Sequence, residues 1–507
     1  MRFACRWVVG CGALALAGCF DPQEPLDTDS TEDSGSGTTS STPPTTGSPT
    51  TADPTASDPD ATATDDPTTE DPDTTTDPPE CDGNGLDPSC PSEAPFCADG
   101  ACVDCTSLAA DACQTVDPAT PVCDAGTSTC VACTEHDQCG SGACRFTTGE
   151  CFAQSNRLFV DNTFGGCAGG VGTEANPFCT VVEAMEVLNN QAGTEPWAIF
   201  VAGSPNEYEG TVDPGNNRPV AIIGPSEGLA ATLLSQDGFT VDLWAQSPET
   251  YLDHLTIERN FGGTTVRCNT GQVYVTDSNL RGGDSTVELT GCSMRTRRVT
   301  VSSLGMGMIV ESGGELRADQ TIFDNSSGGL RVEGTAVLNR SVVSNNYVEG
   351  GISVVGGDLT LTNSMVFQNQ YQNDGVFVSA GGTAEVVHST IVGAFSCGQM
   401  EGATTIRNSI VLPQVSAGMD CSTTTIDNSV VNDGVNLGMG NVMASEGDLG
   451  VIFVDPVPNR GGDWHVLPGS LPEGVAVHQA GDPVVDFDGD PRPVMAGASD
   501  YAGADVP

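Results

Sequence analysis

A short phrase that combines a turn-forming residue, a small hydroxyl and apolar residues recurs through the second half of the chain. Examples are NRSVVSNN from Asn339, TNSMVFQN from Thr362 and RNSIVL from Arg407. With the hydroxyl or its equivalent as an anchor, successive copies lie 19 to 26 residues apart, with a mean near 22. The anchors are Leu255, Ser278, Val299, Thr321, Ser341, Ser364, Thr390, Ser409 and Ser429. A steady period of this size predicts a repeat architecture.

Two apolar columns accompany the anchors. One lies three residues before the anchor, as at Leu338 and Leu361, and the other lies two residues after it, as at Val343 and Val366. Because the columns are five residues apart and side chains alternate along a strand, the chain must turn a corner between them. The residue before the anchor is of a type that tolerates the left-handed conformation in four copies. These residues are Asp277, Asn363, Asn408 and Asn428.

Each copy also contains a further short strand upstream, as in GLRVEG and GISVVGG, which ends at glycine. Two or three short strands per coil of about 22 residues predict an all-β fold, a parallel β-helix in which each coil buries its columns against its neighbours. The apolar stretches at Ile199 and Val220 predict at least two more coils before the first anchor. A leucine-rich repeat is excluded because its Leu and Asn consensus is absent, and a β-sandwich would not keep so steady a register.

Both ends of the repeat region carry recognisable segments. Residues 157–190, with a first strand, a glycine-rich loop containing GTEANPF and a short helix, resemble the opening of right-handed β-helix proteins. Residues 462–467, 470–472, 486–493 and 503–505 resemble the closing segment of the bacterial right-handed parallel β-helix family of the pectate-lyase type. The resemblance implies a right-handed parallel β-helix over residues 157–507. It does not assign a function, because this fold serves many.

The first 19 residues, MRFACRWVVGCGALALAGC, place two arginines before an apolar run that is too short to span a bilayer. The run ends in LAGC, which resembles the lipobox of bacterial lipoproteins. We therefore predict a signal peptide over residues 1–18 and a lipid on Cys19, the alternative being an ordinary signal peptide with an incidental cysteine. Residues 19–80, rich in Thr, Asp, Pro and Ser, predict a disordered tether. The expected location is the outer membrane or cell surface, with the lipid as membrane anchor.

Twelve cysteines crowd into residues 81–156, and export makes disulfides their expected state. They are Cys81, Cys90, Cys97, Cys102, Cys105, Cys113, Cys123, Cys130, Cys133, Cys139, Cys144 and Cys151. The alternative for the two CxxC pairs, Cys102/Cys105 and Cys130/Cys133, is a zinc site. Six later cysteines fit the coils as pairs, so we predict that the partners of each pair lie close together. The pairs are Cys167 with Cys179, Cys268 with Cys292, and Cys397 with Cys421.

The charge of the chain limits its partners. The net charge is −51, from 68 acidic residues and 17 basic ones, and every basic residue is arginine. Nucleic acid is therefore not an expected partner, because binding it requires a basic surface. The densest basic cluster, in MRTRRVT, is a weak candidate for catalysis beside two outward aspartates, the alternative being a solvated face. These candidates are Arg295, Arg297, Arg298, Asp277 and Asp319.

The stretch DFDGD is a candidate for calcium binding through Asp486, Asp488 and Asp490. An EF-hand loop would require Glu at its twelfth position, which here is Gly497, so a structural turn is the alternative. No other cofactor is expected, and the five histidines form no zinc pattern.

Two functions remain. The first is a non-enzymatic surface lipoprotein that binds a glycan or another envelope component, or serves adhesion. The second is a tethered carbohydrate-active enzyme, a polysaccharide lyase or glycoside hydrolase. A groove along one sheet with three or more convergent Asp, Glu or Arg would favour the enzyme, and a smooth face of Thr, Ser and Asn would favour the binding protein.

Overall fold

The computed structural model describes residues 85–507, apart from 87–88, 91–93, 95, 99–100, 109–111, 216, 237, 245–247, 370–374, 380, 394, 398–402, 413–423, 433–437 and 457–461. These residues belong to one compact unit, which runs from residue 75 to residue 507. The predicted signal peptide, Cys19, the tether and Cys81 lie outside the described residues. None of the helices in the described part combines the length and the apolar character that crossing a membrane requires.

Three parallel sheets, here called A, B and C, form the repeat region, and the described strands of sheet C lie between residues 241 and 397. Sheet A contains Arg157–Val160, Trp197–Val201, Val220–Ile223, Glu249–Asp253, Gln272–Thr276, Ser293–Arg297, Glu315–Asp319, Thr335–Asn339, Asp358–Thr362, Thr383–Val387, Ala403–Arg407 and Thr424–Asp427. Sheet B contains Tyr208–Glu209, Ala231–Ser235, Leu255–Arg259, Asn279–Gly282, Thr300–Ser302, Ile322–Asp324, Val342–Ser344, Met365–Phe367, Thr390–Val392, Ile410–Leu412, Val430–Asn432 and Val442–Ala444. Sheet C contains Val241–Leu243, Thr264–Cys268, Ser285–Leu289, Met306–Val310, Gly328–Val332, Gly350–Val354, Val376–Val378 and Phe395–Cys397. The predicted parallel β-helix is confirmed.

The two predicted apolar columns lie in the core, one on sheet A and one on sheet B, and sheet C adds buried residues such as Leu330 and Ile352. Leu338 pairs with Leu361 in sheet A, and Val343 pairs with Val366 in sheet B, and all of these side chains are buried. Because each coil contributes one residue to each column, the columns become continuous ladders through the β-helix.

The anchor predicted at Thr390 is wrong by one residue. In HSTIVG the buried anchor is Ser389 rather than Thr390, because Leu361 pairs with Val386 and Val366 pairs with Ile391. The corrected columns therefore contain Val386 and Ile391 in this coil.

The corner between sheets A and B has the same backbone conformation in the nine coils that carry an anchor. The residue before each anchor has a φ between 45° and 55°. These residues are His254, Asp277, Arg298, Gln320, Arg340, Asn363, His388, Asn408 and Asn428. Five of them are neither Asn nor Asp, although these types visit this conformation most readily. The corner is thus imposed by the stacking of the coils, and the residue type is free to vary with the surroundings.

The anchor hydroxyls form a buried hydrogen-bonded ladder at this corner. The Ser341 N–H donates to Ser364 Oγ at 3.1 Å, and the Ser409 N–H donates to Ser429 Oγ at 3.1 Å. Each hydroxyl also donates to the carbonyl two residues earlier, as Ser364 does to Thr362 O at 2.7 Å. The ladder satisfies backbone groups that the turn removes from the sheets, which explains why a small hydroxyl recurs in the phrase.

Replacement of Ser364 by alanine is expected to lower the free energy of unfolding by about 1–3 kcal/mol. The change leaves the Ser341 N–H without its acceptor at a site where Ser364 is fully buried, and an unsatisfied buried donor costs this much. Urea unfolding followed by circular dichroism measures the change. Ser312→Ala, in an exposed turn, is the matched control and should change stability by less than about 0.5 kcal/mol. Equal effects of the two substitutions would contradict the ladder.

The cysteine-rich module before the β-helix is built from short antiparallel strands and disulfides. Its strands are Gly85–Leu86, Phe96–Ala98, Ala101–Val103, Val122–Asp124, Thr129–Val131, Cys144–Arg145 and Glu150–Cys151, its α-helix is Ala112–Val116, and its 3₁₀ turns are Cys105–Ser107 and His136–Gln138. The bridges are Cys90–Cys102, Cys105–Cys123, Cys113–Cys130, Cys133–Cys144 and Cys139–Cys151, and Cys97 is also disulfide-bonded. Both cysteines of each CxxC pair are consumed by bridges to other cysteines, so the pairs offer no thiolates to zinc.

Two of the three cysteine pairs that were placed on the coils are bridged. The Cα atoms of Cys167 and Cys179 lie 4.9 Å apart, and those of Cys268 and Cys292 lie 5.9 Å apart. The third pair, Cys397 with Cys421, falls outside the residues whose side chains the structure describes and stays a prediction.

Both ends of the β-helix are covered. At the first coils, the helix Val181–Asn190 begins with a capping box of Thr180 and Glu183 and buries its apolar face on the core. After the last coil come Glu446–Asp448, Leu449–Ile452, Phe453–Asp455, Asp463–Val466, Ala476–Val477 and Ser499–Asp500. This closing segment packs Trp464 and Phe453 against the outer face of sheet B.

Candidate functional site

The end of the module packs on the outer face of sheet A through aromatic rings. Phe146 and Phe152 lie against Tyr251 with ring centroids 5.3 and 5.9 Å apart, and Tyr251 stacks on Tyr274 at 4.9 Å. Tyr251 is fully buried. Edge-to-face and offset-stacked contacts of this kind stabilise a small interface beyond the area that they bury.

An ion pair fixes the same contact. Arg145 donates from Nε and Nη2 to the two carboxylate oxygens of Glu249, at 2.8 and 3.0 Å, and the Tyr251 hydroxyl donates to Oε2 at 2.9 Å. Burial opposes ionisation of Glu249, but the hydrogen bonds from Arg145 and Tyr251 outweigh it and lower the pKa of Glu249. The module is thus held in one orientation on the sheet.

Beyond the edge of the module, the outward columns of sheet A change from aromatic to charged residues. The column that starts with Tyr251 and Tyr274 continues as Arg295 and Arg317. Two residues later along the strands, Arg297 pairs with Asp319. Since side chains two residues apart point to the same face, both columns are directed to the outside.

These residues line a cleft of about 460 Å³ between the module and sheet A, which we call the arginine cleft. Its lining includes Arg295, Arg297, Arg317, Arg340, Asp319, Asn339, Val337, Tyr274 and, from the module, Cys133, Thr134 and Phe146. Four of the 17 arginines of a chain with net charge −51 therefore meet in one depression. A locally basic cleft on an acidic protein is an electrostatic feature specific to this place.

Most of the cleft arginines have carboxylate partners. Arg297 forms an ion pair with Glu135 of the module, Arg340 with Asp319 at 2.7 Å, and Arg317 with Glu315 at 2.6 Å. Arg295 differs, since among the described residues no carboxylate lies within 4.0 Å of its guanidinium. The guanidinium carbon Cζ of Arg295 lies over the ring of Tyr274, 5.7 Å from the ring centroid. Arg295 is therefore the arginine best placed to bind an external anion.

The structure brings together the residues of the predicted cluster, but in two places. Arg295, Arg297 and Asp319 line the arginine cleft, whereas Arg298 and Asp277 lie at the neighbouring A–B corner. Arg298 holds Asp277 through two hydrogen bonds of 2.6 Å. Burial opposes ionisation of Asp277, yet the contact with Arg298 lowers its pKa.

The candidates predicted from the sequence did not include Arg317 and Arg340, which complete the cleft. Arg317 follows Arg295 by one coil, so the repeat register contained the signal for it. Arg340 lies at an A–B corner, and its left-handed backbone conformation is visible only in the structure.

The aspartates of DFDGD form a turn. Asp486 is fully buried, and its Oδ1 accepts the N–H groups of Asp488, Gly489 and Asp490 at 2.8–3.0 Å. Its Oδ2 accepts the N–H of Val506 at 2.9 Å. A calcium ion would have to compete with these four donors, so the geometry favours the structural alternative.

Comparisons with known proteins add the following. Residues 65–137 match the profile of a family of unknown function (DUF8331). No curated protein matches the chain. A solved structure described as "Crystal structure of pectate lyase Pel9A" is similar with a TM-score of 0.45 and 13% sequence identity, covering 69% of this chain and 95% of that chain. The fold assignment rests on the strand pairings of the chain itself.

Proposed function

We propose that the chain is a lipid-anchored, surface-displayed protein that binds anionic groups of a glycan or another envelope component in the arginine cleft, without turning them over. The observation that supports this function most strongly is the cleft itself, in which Arg295 has no carboxylate partner among the described residues. Guanidinium groups bind carboxylate, sulfate and phosphate groups through paired hydrogen bonds. The surrounding acidic surface repels anions, so binding is confined to the cleft.

The anchor belongs to the same proposal. LAGC at residues 16–19 supplies the lipid attachment at Cys19, and the acidic, Pro-rich stretch that follows lifts the β-helix away from the membrane. Display at the surface suits a protein that recognises an envelope polymer.

The cleft meets the criterion that the sequence set for an enzyme, because four arginines and Asp319 converge in one groove. This supports the second candidate, a carbohydrate-active enzyme of the polysaccharide lyase or glycoside hydrolase class. The chemistry of the cleft favours binding, however. Among the described residues, Asp319 is the only acid in the lining, and it is held by Arg340 and by the Asn339 amide at 2.7 Å. A glycoside hydrolase needs two carboxyl groups that flank the scissile bond, and the described lining does not supply that pair.

The test is binding and turnover by the purified full chain on matched anionic and neutral glycans, in calcium and in chelator. We expect binding of anionic glycans, weakened by salt, with no new reducing or unsaturated ends. Arg295→Gln should weaken binding at least about ten-fold, because a charge-assisted hydrogen bond contributes about 1.5–3 kcal/mol.

The matched control is Arg331→Gln, on sheet C, where the arginine is paired with Glu333. It should leave binding unchanged. Equal binding of neutral glycans, or equal losses in the two variants, would sink the proposed function. Products that disappear with Arg295→Gln would instead establish the enzyme.

A further inference from the structure

A second cavity lies beside the arginine cleft, between the 3₁₀ turn His136–Gln138 of the module and the first A–B corners of the β-helix. Its volume is about 670 Å³, and we call it the corner cavity. Its lining includes Glu135, His136, Asp137, Asp253, His254 and Asp277. It also contains Arg298, and because Glu135 is paired with Arg297, three carboxylates remain for this one guanidinium. This excess of negative charge suits a cation.

Three side chains of the cavity are close enough to share one ion. One ligand atom from each of Asp253, His254 and Asp277 lies within 4.8 Å of the others. His254 and Asp277 occupy successive corners, with φ values of 53° and 46°, so the stacking of the coils places them side by side. Asp277 binds Arg298 through both oxygens, and each of these oxygens keeps a second lone pair for a metal.

The orientation of His254 is set by Asp253. His254 Nδ1 lies 2.7 Å from Asp253 Oδ2, and Asp253 is almost fully buried. A carboxylate on one ring nitrogen fixes the tautomer and leaves the other nitrogen, here Nε2, with a free lone pair. This is the arrangement in which metal-binding histidines are usually held.

An independent observation comes from His136, which lines the same cavity and is only 6% exposed. Its Nδ1 accepts the N–H of Cys144 at 2.9 Å, so the proton of the neutral ring is on Nε2. Within the described part of the chain, Nε2 has no hydrogen-bond partner. A buried N–H of this kind requires an acceptor, and a water or anion bound to a metal ion would supply one.

We infer that the corner cavity binds one divalent transition-metal ion of the zinc or manganese class. Asp277 and the Nε2 of His254 are ligands, Asp253 orients the histidine, and His136 donates to a water or anion on the metal. An imidazole ligand favours these metals over calcium and magnesium, which prefer oxygen alone. The cavity lies between the module and the β-helix, so the ion joins the two.

The experiment is calorimetric titration of the full chain with ZnCl₂, MnCl₂ and CaCl₂ separately, after treatment with EDTA and dialysis into 150 mM NaCl. We expect one saturable equivalent of zinc or manganese, bound at least ten-fold more tightly than calcium. His254→Asn and Asp277→Asn should each weaken this equivalent at least ten-fold. Both variants should also lose the rise in Tm that the metal causes in the wild type.

These substitutions are designed to preserve the fold, because the chain itself uses asparagine at the corners of Asn363, Asn408 and Asn428. Gln320→Asn, at a corner outside the cavity, is the matched control and should leave binding unchanged. The inference fails if no saturable equivalent appears, if calcium competes equally, or if either variant binds the metal as tightly as the control.

Discussion

Replacement of Tyr251 by alanine is expected to lower the free energy of unfolding by about 3–5 kcal/mol and to release the module from sheet A. Tyr251 is fully buried, and its ring contacts Phe146, Phe152 and Tyr274. Truncation of a buried aromatic residue to alanine removes its contacts and leaves a cavity, which has a cost of this size. The change also removes one hydrogen bond from the buried carboxylate of Glu249.

Two measurements separate these effects. Urea unfolding reports stability, and limited proteolysis under non-reducing conditions reports whether residues 133–152 remain protected. Tyr251→Phe is the control, because it keeps the ring and loses only the hydroxyl, for an expected loss of about 1 kcal/mol. If Tyr251→Ala leaves the module as protected as Tyr251→Phe does, the aromatic contact is not what holds it. Loss of the module should also open the arginine cleft, since Phe146 and Thr134 form one of its walls.

The β-helix was predictable because its cause is local and repeated. Every coil must bury one residue in each column, so Leu338, Leu361, Val343 and Val366 recur at one period. The error at Thr390 arose where the pattern is degenerate. There, HSTIVG offers two adjacent hydroxyls, and Val387 and Val392 fit the columns as well as Val386 and Ile391 do. Only pairing with the neighbouring coil decides between the two registers.

The left-handed corner was only partly predictable. Asparagine at 363, 408 and 428 signalled it, but arginine at 298 and 340 and histidine at 254 did not, because these residues rarely adopt a positive φ by preference. Asn363 and Asn408 lie where the closing segment covers the coils, since their side-chain amides donate to Val485 O at 2.7 Å and to Val477 O at 3.1 Å. Charged residues lie where the module leaves a cavity. In the structure, charged residues held at a positive φ therefore mark the corner cavity.

The arginine cleft was not predictable, because half of it depends on tertiary docking. Arg145 and Glu249 are 104 residues apart, and nothing in the repeat indicates that the module covers Tyr251 and Tyr274. The two columns of sheet A would have placed Arg317 beside Arg295. They would not have shown that Glu135 neutralises Arg297 and leaves Arg295 without a partner.

Two buried groups are expected to give opposite pH dependences of stability. Burial lowers the pKa of His136 to about 4 from 6.5, although Asp253 and Asp137 oppose this shift while His254 and Arg297 support it. Between these values the unfolded chain binds more protons, so stability falls by up to about 3 kcal/mol as the pH falls from 6.5 to 4.

The second group is Asp505, which is 3% exposed. Burial raises its pKa to about 6 from 3.8, although the Val466 N–H and His465 oppose this shift. In this window the folded chain binds more protons, so stability falls by up to about 3 kcal/mol as the pH rises from 3.8 to 6. The contributions of His136 and Asp505 overlap between pH 4 and 6 and largely cancel in the wild type.

Single substitutions should reveal each contribution, with stability measured by urea unfolding in EDTA from pH 4 to 7. Asp505→Asn keeps an acceptor for the Val466 N–H, which lies 2.9 Å away, and should add about 3 kcal/mol at pH 7 and little at pH 4. His136→Asn keeps an acceptor for the Cys144 N–H and should reduce the fall in stability between pH 6.5 and 4. Asp490→Asn, at an exposed aspartate, is the matched control for the loss of one carboxylate. Because each variant is compared with the wild type at the same pH, the titration of groups that do not interact with the substituted residue cancels. A constant difference for Asp505→Asn would mean that this carboxyl titrates alike in the folded and unfolded chain. Water would then solvate the carboxyl in the folded chain.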